Sequence, residues 1–187
     1  MHPTLKRLRP ESSVLVVIDI QDKLLAKIPA AADLVRTAGF LLDVAALLEV
    51  PIRATEQYPK GLGPTTPEIA RRLPPDTPAK TSFSCCGAGT FLDELKVLQR
   101  QDIVLVGMET HVCVAQTALD LLHAGLHVHL VVDALAARGA VDHATALRRL
   151  ELAGAVPTTA EAVAFEWVGD STHPRFKAVS KLVIERG

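Results

Sequence analysis

Ile103-Val104-Leu105-Val106-Gly107-Met108-Glu109-Thr110-His111-Val112-Cys113-Val114-Ala115-Gln116-Thr117 reads as strand, loop and helix in succession. An apolar, β-rich run ends at a glycine, polar residues make the turn, and a helical pattern continues through Leu121 and Leu122. A strand covered on both faces is continuously apolar rather than alternating, so this one belongs inside a parallel sheet. Cys113 then falls at the start of the following helix, at the sheet edge where open α/β folds gather their ligands. Unpaired backbone N–H groups at such a start favour a thiolate over a thiol and can hold a developing oxyanion. A small, buried, inert cysteine would give the same letters.

Outward from this stretch the same alternation recurs. Val14-Leu15-Val16-Val17-Ile18 is a second continuous apolar run, closed by Asp19. Residues 1–13 before it read as an extended arm broken by Pro3 and Pro10. A helix over residues 33–50, with Leu34, Ala38, Leu41, Ala45 and Leu48 at helical spacing, is stopped by Pro51. Residues 52–56 form a shorter strand nearer an edge, and residues 57–65 a turn-rich loop of the length binding loops have. A short helix over residues 68–73 is followed by an extended segment over 79–84 and a helix over 91–100 capped by Thr90. Beyond the opening stretch come a strand over 126–133, a loop over 134–139, a helix over 141–152 and a short strand over 155–157. Thr158 and Glu161 have capping-box spacing for a helix to about residue 168, and a terminal helix runs over 175–184. Strands alternating with helices predict one domain over residues 1–187, a doubly wound, three-layer α/β/α fold on a mainly parallel sheet of five to six strands.

Composition narrows the function classes. Apolar residues make up 49 % of the chain and aromatics only 4 %, which suits a core of Leu, Val, Ala and Ile. The net charge of −1 leaves no electrostatic footprint for a nucleic acid or an anionic membrane, and neither partner is expected. Three cysteines, two of them adjacent at Cys85 and Cys86, form neither a disulfide framework nor a zinc spacing. Gly87-Ala88-Gly89 lacks the spacing of a dinucleotide fingerprint and the Gly-Lys-Ser/Thr of a P-loop, so it reads as a turn. No cofactor and no metal are expected. No secretory leader is apparent, and no apolar run approaches the roughly 18 residues of a membrane span, so a soluble, cytoplasmic protein is expected.

Two ionisable residues stand beside Cys113 as candidates. Asp19 closes the first strand, and Lys80 opens the Pro-bounded extended segment. In a doubly wound sheet the first strand can neighbour the one before Cys113, which would bring Asp19 to the same edge. Thiol attack on an amide or ester needs a base to take the proton and return it to the leaving group, and a desolvated Asp suffices. A lysine nearby would stabilise both anions. Singly, each has an ordinary reading: Asp19 as a loop hydrogen-bonder, Lys80 as a solvated surface residue, Cys113 as packing.

Three segments in order, Val16-Val17-Ile18-Asp19-Ile20-Gln21, Ala79-Lys80-Thr81-Ser82-Phe83-Ser84 and Gly107-Met108-Glu109-Thr110-His111-Val112-Cys113-Val114, resemble the signature of the isochorismatase-like cysteine hydrolases. Thr55 to Thr65, Val168-Gly169-Asp170 and His173-Pro174 are similar to the isochorismatase domain-containing group within it. The resemblance implies Asp19 as general base, Lys80 as its charge partner and Cys113 as nucleophile. It also implies a non-proline cis peptide at Met108-Glu109, an oxyanion hole from the backbone N–H groups of Glu109 and Cys113, and homo-oligomers. Nicotinamidases of this superfamily carry an Asp-x-His metal motif, whereas no histidine lies between His2 and His111 here. True isochorismatases characteristically lack the cysteine.

Gln21, Tyr58, Phe83 and Glu109 flank these motifs at strand ends and are candidates to line a substrate pocket, ordinary loop packing being the alternative. Cys85 and Cys86 read as packing or loop residues. His111 diverges from Cys113 at two residues' separation, and His127 and His129 share a strand face without a third metal ligand. The expected activity is metal-independent hydrolysis of the C–N bond of a small-molecule amide through a thioester-type intermediate, with the Cys113 thiol titrating below its ordinary range of ~8.5. The alternative is a binding, scaffold or redox-sensing protein that retains the fold without efficient hydrolysis.

Overall fold

A computed structural model describes residues 6–186. Of the arm expected over 1–13, residues 1–5 lie outside the described residues; Pro10–Ser12 is a 3-10 turn, and Ser13 already belongs to the first strand.

Strand β1, Ser13–Ile18, is buried along its whole length. Its side chains alternate between two cores: Val14, Val16 and Ile18 pack with Phe91, Leu95, Ile103 and Leu105, and Leu15 and Val17 with Leu41, Val104 and Val106. That two-sided burial is why the run is continuously apolar, each fully buried Val, Leu or Ile contributing about 1.5–3 kcal/mol. Two parallel neighbours flank β1: β2, Ile52–Gln57, and β4, Asp102–Met108. Strands β3 (Ala79–Lys80), β5 (His127–Ala136) and β6 (Val156–Thr158) complete a six-stranded, all-parallel sheet of order β3-β2-β1-β4-β5-β6.

The helices are α1 (Asp22–Leu25), α2 (Ala31–Leu47), α3 (Pro59–Leu62), α4 (Pro67–Ala70), α5 (Phe91–Val97), α6 (Ala115–His123), α7 (Ala140–Leu152), α8 (Ala160–Val168) and α9 (Phe176–Arg186). Residues of α2, α8 and α9 build one core, and those of α5, α6 and α7 the other. The fold is therefore the doubly wound, three-layer arrangement expected. Among the described residues no helix is long and apolar enough to cross a membrane.

Local expectations shift where tertiary pairing intervenes. Thr158 is held in β6 opposite Val131, so the cap of α8 is Thr159, whose hydroxyl accepts from Ala162 N at 3.4 Å. Thr90 lacks extended cap geometry and bonds the Glu94 side chain instead. Strand β5 runs past Asp133 to Ala136, because Asp133 stays in the strand and its carboxylate caps α8 through Ala160 N at 2.9 Å. The extended segment expected over 79–84 keeps only two residues in the sheet, and residues 81–84 form bends. Trp167 ties α8 to β1, its indole donating to Ser13 Oγ at 3.0 Å.

Candidate functional site

The sheet order reverses between β1 and β4, and there Ile18 lies opposite Gly107. A Cβ on Gly107 would stand 2.1 Å from the Ile18 carbonyl oxygen, and its φ of +124° suits glycine alone. This close approach sets the ends of both strands side by side. Asp19 leaves β1 in the left-handed region at φ 53°, a conformation Asp tolerates better than most residues, and turns its carboxylate into the interior.

Three elements meet on that carboxylate. Lys80, at the end of β3, places Nζ 2.7 Å from Asp19 Oδ2, and both side chains are fully buried. The same nitrogen donates to Gln57 Oε1 at 2.7 Å, to Phe83 O at 2.9 Å and to Ser82 O at 3.3 Å. Thr55 on β2 donates its hydroxyl to Asp19 Oδ1 at 2.9 Å. Cys113 follows the Met108-Glu109 peptide bond, which is cis, inside a π-helical turn, Thr110–Val114, that leads into α6. Its Sγ lies 3.9 Å from Gln57 Oε1, so Gln57 links the cysteine to the lysine. Thr117, one turn on, donates to Cys113 O and accepts from Cys85 N.

Burial decides the electrostatics. Desolvation pushes the Asp19 carboxyl above its ordinary value despite the opposing pull of Lys80 and of hydrogen bonds from Lys80, Cys113 and Thr55. Desolvation, with the Asp19 charge beside it, pushes the Cys113 thiol up to about 12. This runs against the expectation of a Cys113 thiol titrating below its ordinary range. Cys113 is 6 % exposed, and the loss of hydration outweighs what the turn's backbone supplies.

Asp19, Lys80 and Cys113 thus converge; the four expected pocket residues do not behave alike. Gln21 is fully buried, its amide bonded in both directions to the Gln57 backbone and to Gly63 O, so it clamps the ends of β1 and β2 and has no amide group to spare for a pocket. Tyr58 is 53 % exposed, its ring lying over Gly61, where a Cβ would come within 2.4 Å. Phe83 is 52 % exposed and meets the site through its carbonyl rather than its ring. Glu109 is drawn away by Arg138, whose Nε lies 2.6 Å from Oε1, and its backbone flanks the cis bond. Among the described residues no hydrogen bond joins His111 to Cys113, and no group of three or more His, Cys, Asp or Glu could hold a metal ion. His127 faces Asp102 at the opposite end of the sheet. Gln57, Thr55, Thr117 and Cys85 were not anticipated; a polar residue on a short strand gives no sign of burial until β3 and the 3-10 turn Cys85–Gly87 cover it.

The family model of the isochorismatase domain matches residues 13–162. The chain belongs to this family. This isochorismatase-domain protein is 45 % identical to isochorismatase domain-containing protein 2A of Mus musculus over 184 residues, 97 % of this chain and 87 % of that one. It is 46 % identical to isochorismatase domain-containing protein 2 of Bos taurus over 186 residues, 98 % and 89 % of the two chains. A solved structure named as the MAR1 ribonuclease of Caenorhabditis elegans superposes with a TM-score of 0.90 at 45 % identity, covering 96 % of this chain and 93 % of that one. Its family places the protein among the isochorismatase-like hydrolases.

Proposed function

We propose that the protein is a metal-independent cysteine hydrolase that cleaves the amide C–N bond of a small molecule, with Cys113 as nucleophile, Asp19 as proton carrier and Lys80 as the charge partner of Asp19. The observation that supports this reading is the buried Asp19–Lys80 pair at 2.7 Å, tied through Gln57 to the Cys113 thiol. A buried ion pair on this scale is no stability device in itself, since breaking even with apolar replacements is the rule.

The raised thiol makes proton transfer part of the attack. As Sγ bonds to the substrate carbonyl carbon, its proton passes to Asp19, and the carbonyl oxygen takes up the negative charge. Backbone N–H groups of Glu109 and Cys113 are proposed to hold that oxygen. Collapse of the tetrahedral species breaks the C–N bond while Asp19 returns the proton to nitrogen, leaving a thioester. Water, deprotonated by Asp19, then attacks the thioester, releasing the carboxylic acid and restoring the thiol. The raised Asp19 is a better base for this than an ordinary carboxylate, and Lys80 keeps it ionised enough to act.

The name of the Caenorhabditis elegans relative brings RNA hydrolysis as a competing activity. Reacting groups that are 0 %, 3 % and 6 % exposed at Asp19, Lys80 and Cys113, in a chain of net charge −1, favour a compact substrate over a polyanion. A panel of primary amides and a labelled RNA, each offered to the wild type and to Cys113→Ala, decides between them. Amide turnover lost in Cys113→Ala, with an acid-quench-stable acyl adduct on Cys113 in the wild type, is expected. RNA cleavage that survives Cys113→Ala without amide turnover would overturn the reading.

A further inference from the structure

Cys85 is the buried nucleophilic group that the proposed hydrolysis leaves unused. Fully enclosed in the 3-10 turn Cys85–Gly87, it has its Sγ 3.2 Å from Thr55 Oγ1, and that same hydroxyl lies 2.9 Å from Asp19 Oδ1. A threonine hydroxyl has one proton to give. That proton goes to Asp19 Oδ1, the hydroxyl being the donor to the carboxyl group whose other oxygen pairs with Lys80. The sulfur must then be the donor to Thr55. Burial together with the Asp19 charge pushes the Cys85 thiol up to about 11, which keeps that proton in place.

We propose that Cys85 and Thr55 form a directional relay, Cys85 S–H to Thr55 O–H to Asp19 Oδ1, that positions the carboxylate and tunes its basicity for proton exchange with Cys113. Both are positioning residues. The relay rests on the cysteine-hydrolase reading above and adds to it two residues on separate elements, β2 and the 3-10 turn. Lys80 holds Oδ2 and Thr55 holds Oδ1, so the carboxylate cannot swing about its Cβ–Cγ bond without breaking one of them. The turn itself is fixed independently of Thr55: Cys85 N donates to Thr117 Oγ1 at 2.9 Å, and Ser84 Oγ accepts from Cys86 N at 3.1 Å. Thr117 in turn bonds Cys113 O at 2.7 Å, so one threonine fixes the turn that carries the donor and the turn that carries the nucleophile. The titratable groups facing Asp19 are Lys80 from β3, Cys113 from the turn after β4 and Cys85.

The test needs no substrate. Iodoacetamide alkylation of Cys113, followed across pH by peptide mass spectrometry on the full-length protein, reads the carboxylate as an acid limb in the rate. In the wild type that limb is expected, and Asp19→Asn should abolish it. Thr55→Val removes a donor to the carboxylate and should move the limb upward by about one pH unit, since hydrogen bonds to charged groups are of that order. Thr55→Ser should restore it. Cys85→Ala should move it in the same direction by less, and Cys85→Ser, a stronger donor in the same place, should bring it back. Melting temperatures of the four Thr55 and Cys85 variants separate a shifted limb from a loosened fold, because lost packing lowers the rate without moving the limb.

An unmoved limb in Thr55→Val, with Asp19→Asn still abolishing it, overturns the relay and leaves the hydrolase reading standing. A moved limb in Thr55→Val with none in Cys85→Ala removes Cys85 from the relay. A wild-type limb indifferent to Asp19→Asn overturns both the reading and the relay built on it.

Discussion

Lys80 Nζ lies 2.7 Å from Asp19 Oδ2 with neither side chain exposed to solvent. Two opposite charges so enclosed depend on each other more than on the fold around them. The ends of β1 and β3 can carry them only because Gln57, Phe83 and Ser82 satisfy the remaining protons of the lysine.

Removing one charge should therefore be worse than removing both. Lys80→Met leaves a buried carboxylate alone and is expected to destabilise the protein by about 3–5 kcal/mol, read as the midpoint of urea unfolding. Asp19→Asn strands the lysine with a similar penalty. The double variant has no uncompensated charge and should recover most of the loss while remaining inactive toward amides. Additive losses in the double variant would contradict the coupling.

Gln57 is expected to matter to the site more than to the fold. Gln57→Leu keeps the backbone clamp to Gln21 but removes the acceptor shared by Lys80 and Cys113 and the donor to Thr81 O at 3.0 Å. One such bond is worth about 1–3 kcal/mol when a charged partner is left short, which corresponds to a roughly 5- to 150-fold slower alkylation of Cys113. Gln57→Glu restores the acceptor yet adds a charge beside the thiol, so alkylation should shift to higher pH. A rate equal to the wild type in both variants would remove Gln57 from the site.

Much of this arrangement was legible in the letters, and the reasons mark where legibility stops. Continuous apolar runs at Val14 to Ile18 and Ile103 to Val106 place two strands inside a parallel sheet, and doubly wound order puts Asp19 and the turn of Cys113 at one edge. Thr55 and Gln57 sit on a strand whose pattern reads half-exposed, because what buries them is a two-residue strand and a 3-10 turn contributed by residues 79–87. The acidity of Cys113 escapes the sequence for the same cause: the start of a helix is visible in the letters, the burial around the thiol is not. Thr158 lost its cap to Thr159 through pairing with Val131, a contact 27 residues distant in sequence.

Gly107→Ala should be strongly damaging. The added carbon meets the Ile18 carbonyl at 2.1 Å and the Ile18 nitrogen at 2.7 Å, both backbone atoms that cannot rotate away, in a conformation a Cβ disfavours. Overpacking alone costs about 1–3 kcal/mol, and the backbone conformation adds to it. A lowered melting temperature together with slower Cys113 alkylation is expected, because the adjacent ends of β1 and β4 carry Asp19 and the turn of Cys113. Unchanged stability would mean that β1 and β4 can part at no penalty.

Acid should loosen the sheet from the end away from Cys113. His129 on β5 is 4 % exposed, and burial, only partly opposed by Asp102 at 4.0 Å, pushes its pKa from the ordinary 6.5 down to about 4. The folded state thus binds this proton less readily than the unfolded chain. Its contribution to stability is complete above pH 6.5 and is lost as pH falls from there to about 4. Over that window the loss amounts to about 3 kcal/mol at 1.36 kcal/mol per unit. Asp102 has its own, lower window: burial raises it, but hydrogen bonds from Ser12, Lys6 and His127 hold it below the ordinary 3.8, so its share is lost only at stronger acid. Urea unfolding of the wild type at several pH values between 7.5 and 4 should show the decline, and His129→Gln should flatten it relative to the wild type. Parallel curves for the two proteins would assign the acid sensitivity to other groups, His143 on α7 first among them, since burial lowers its pKa as well.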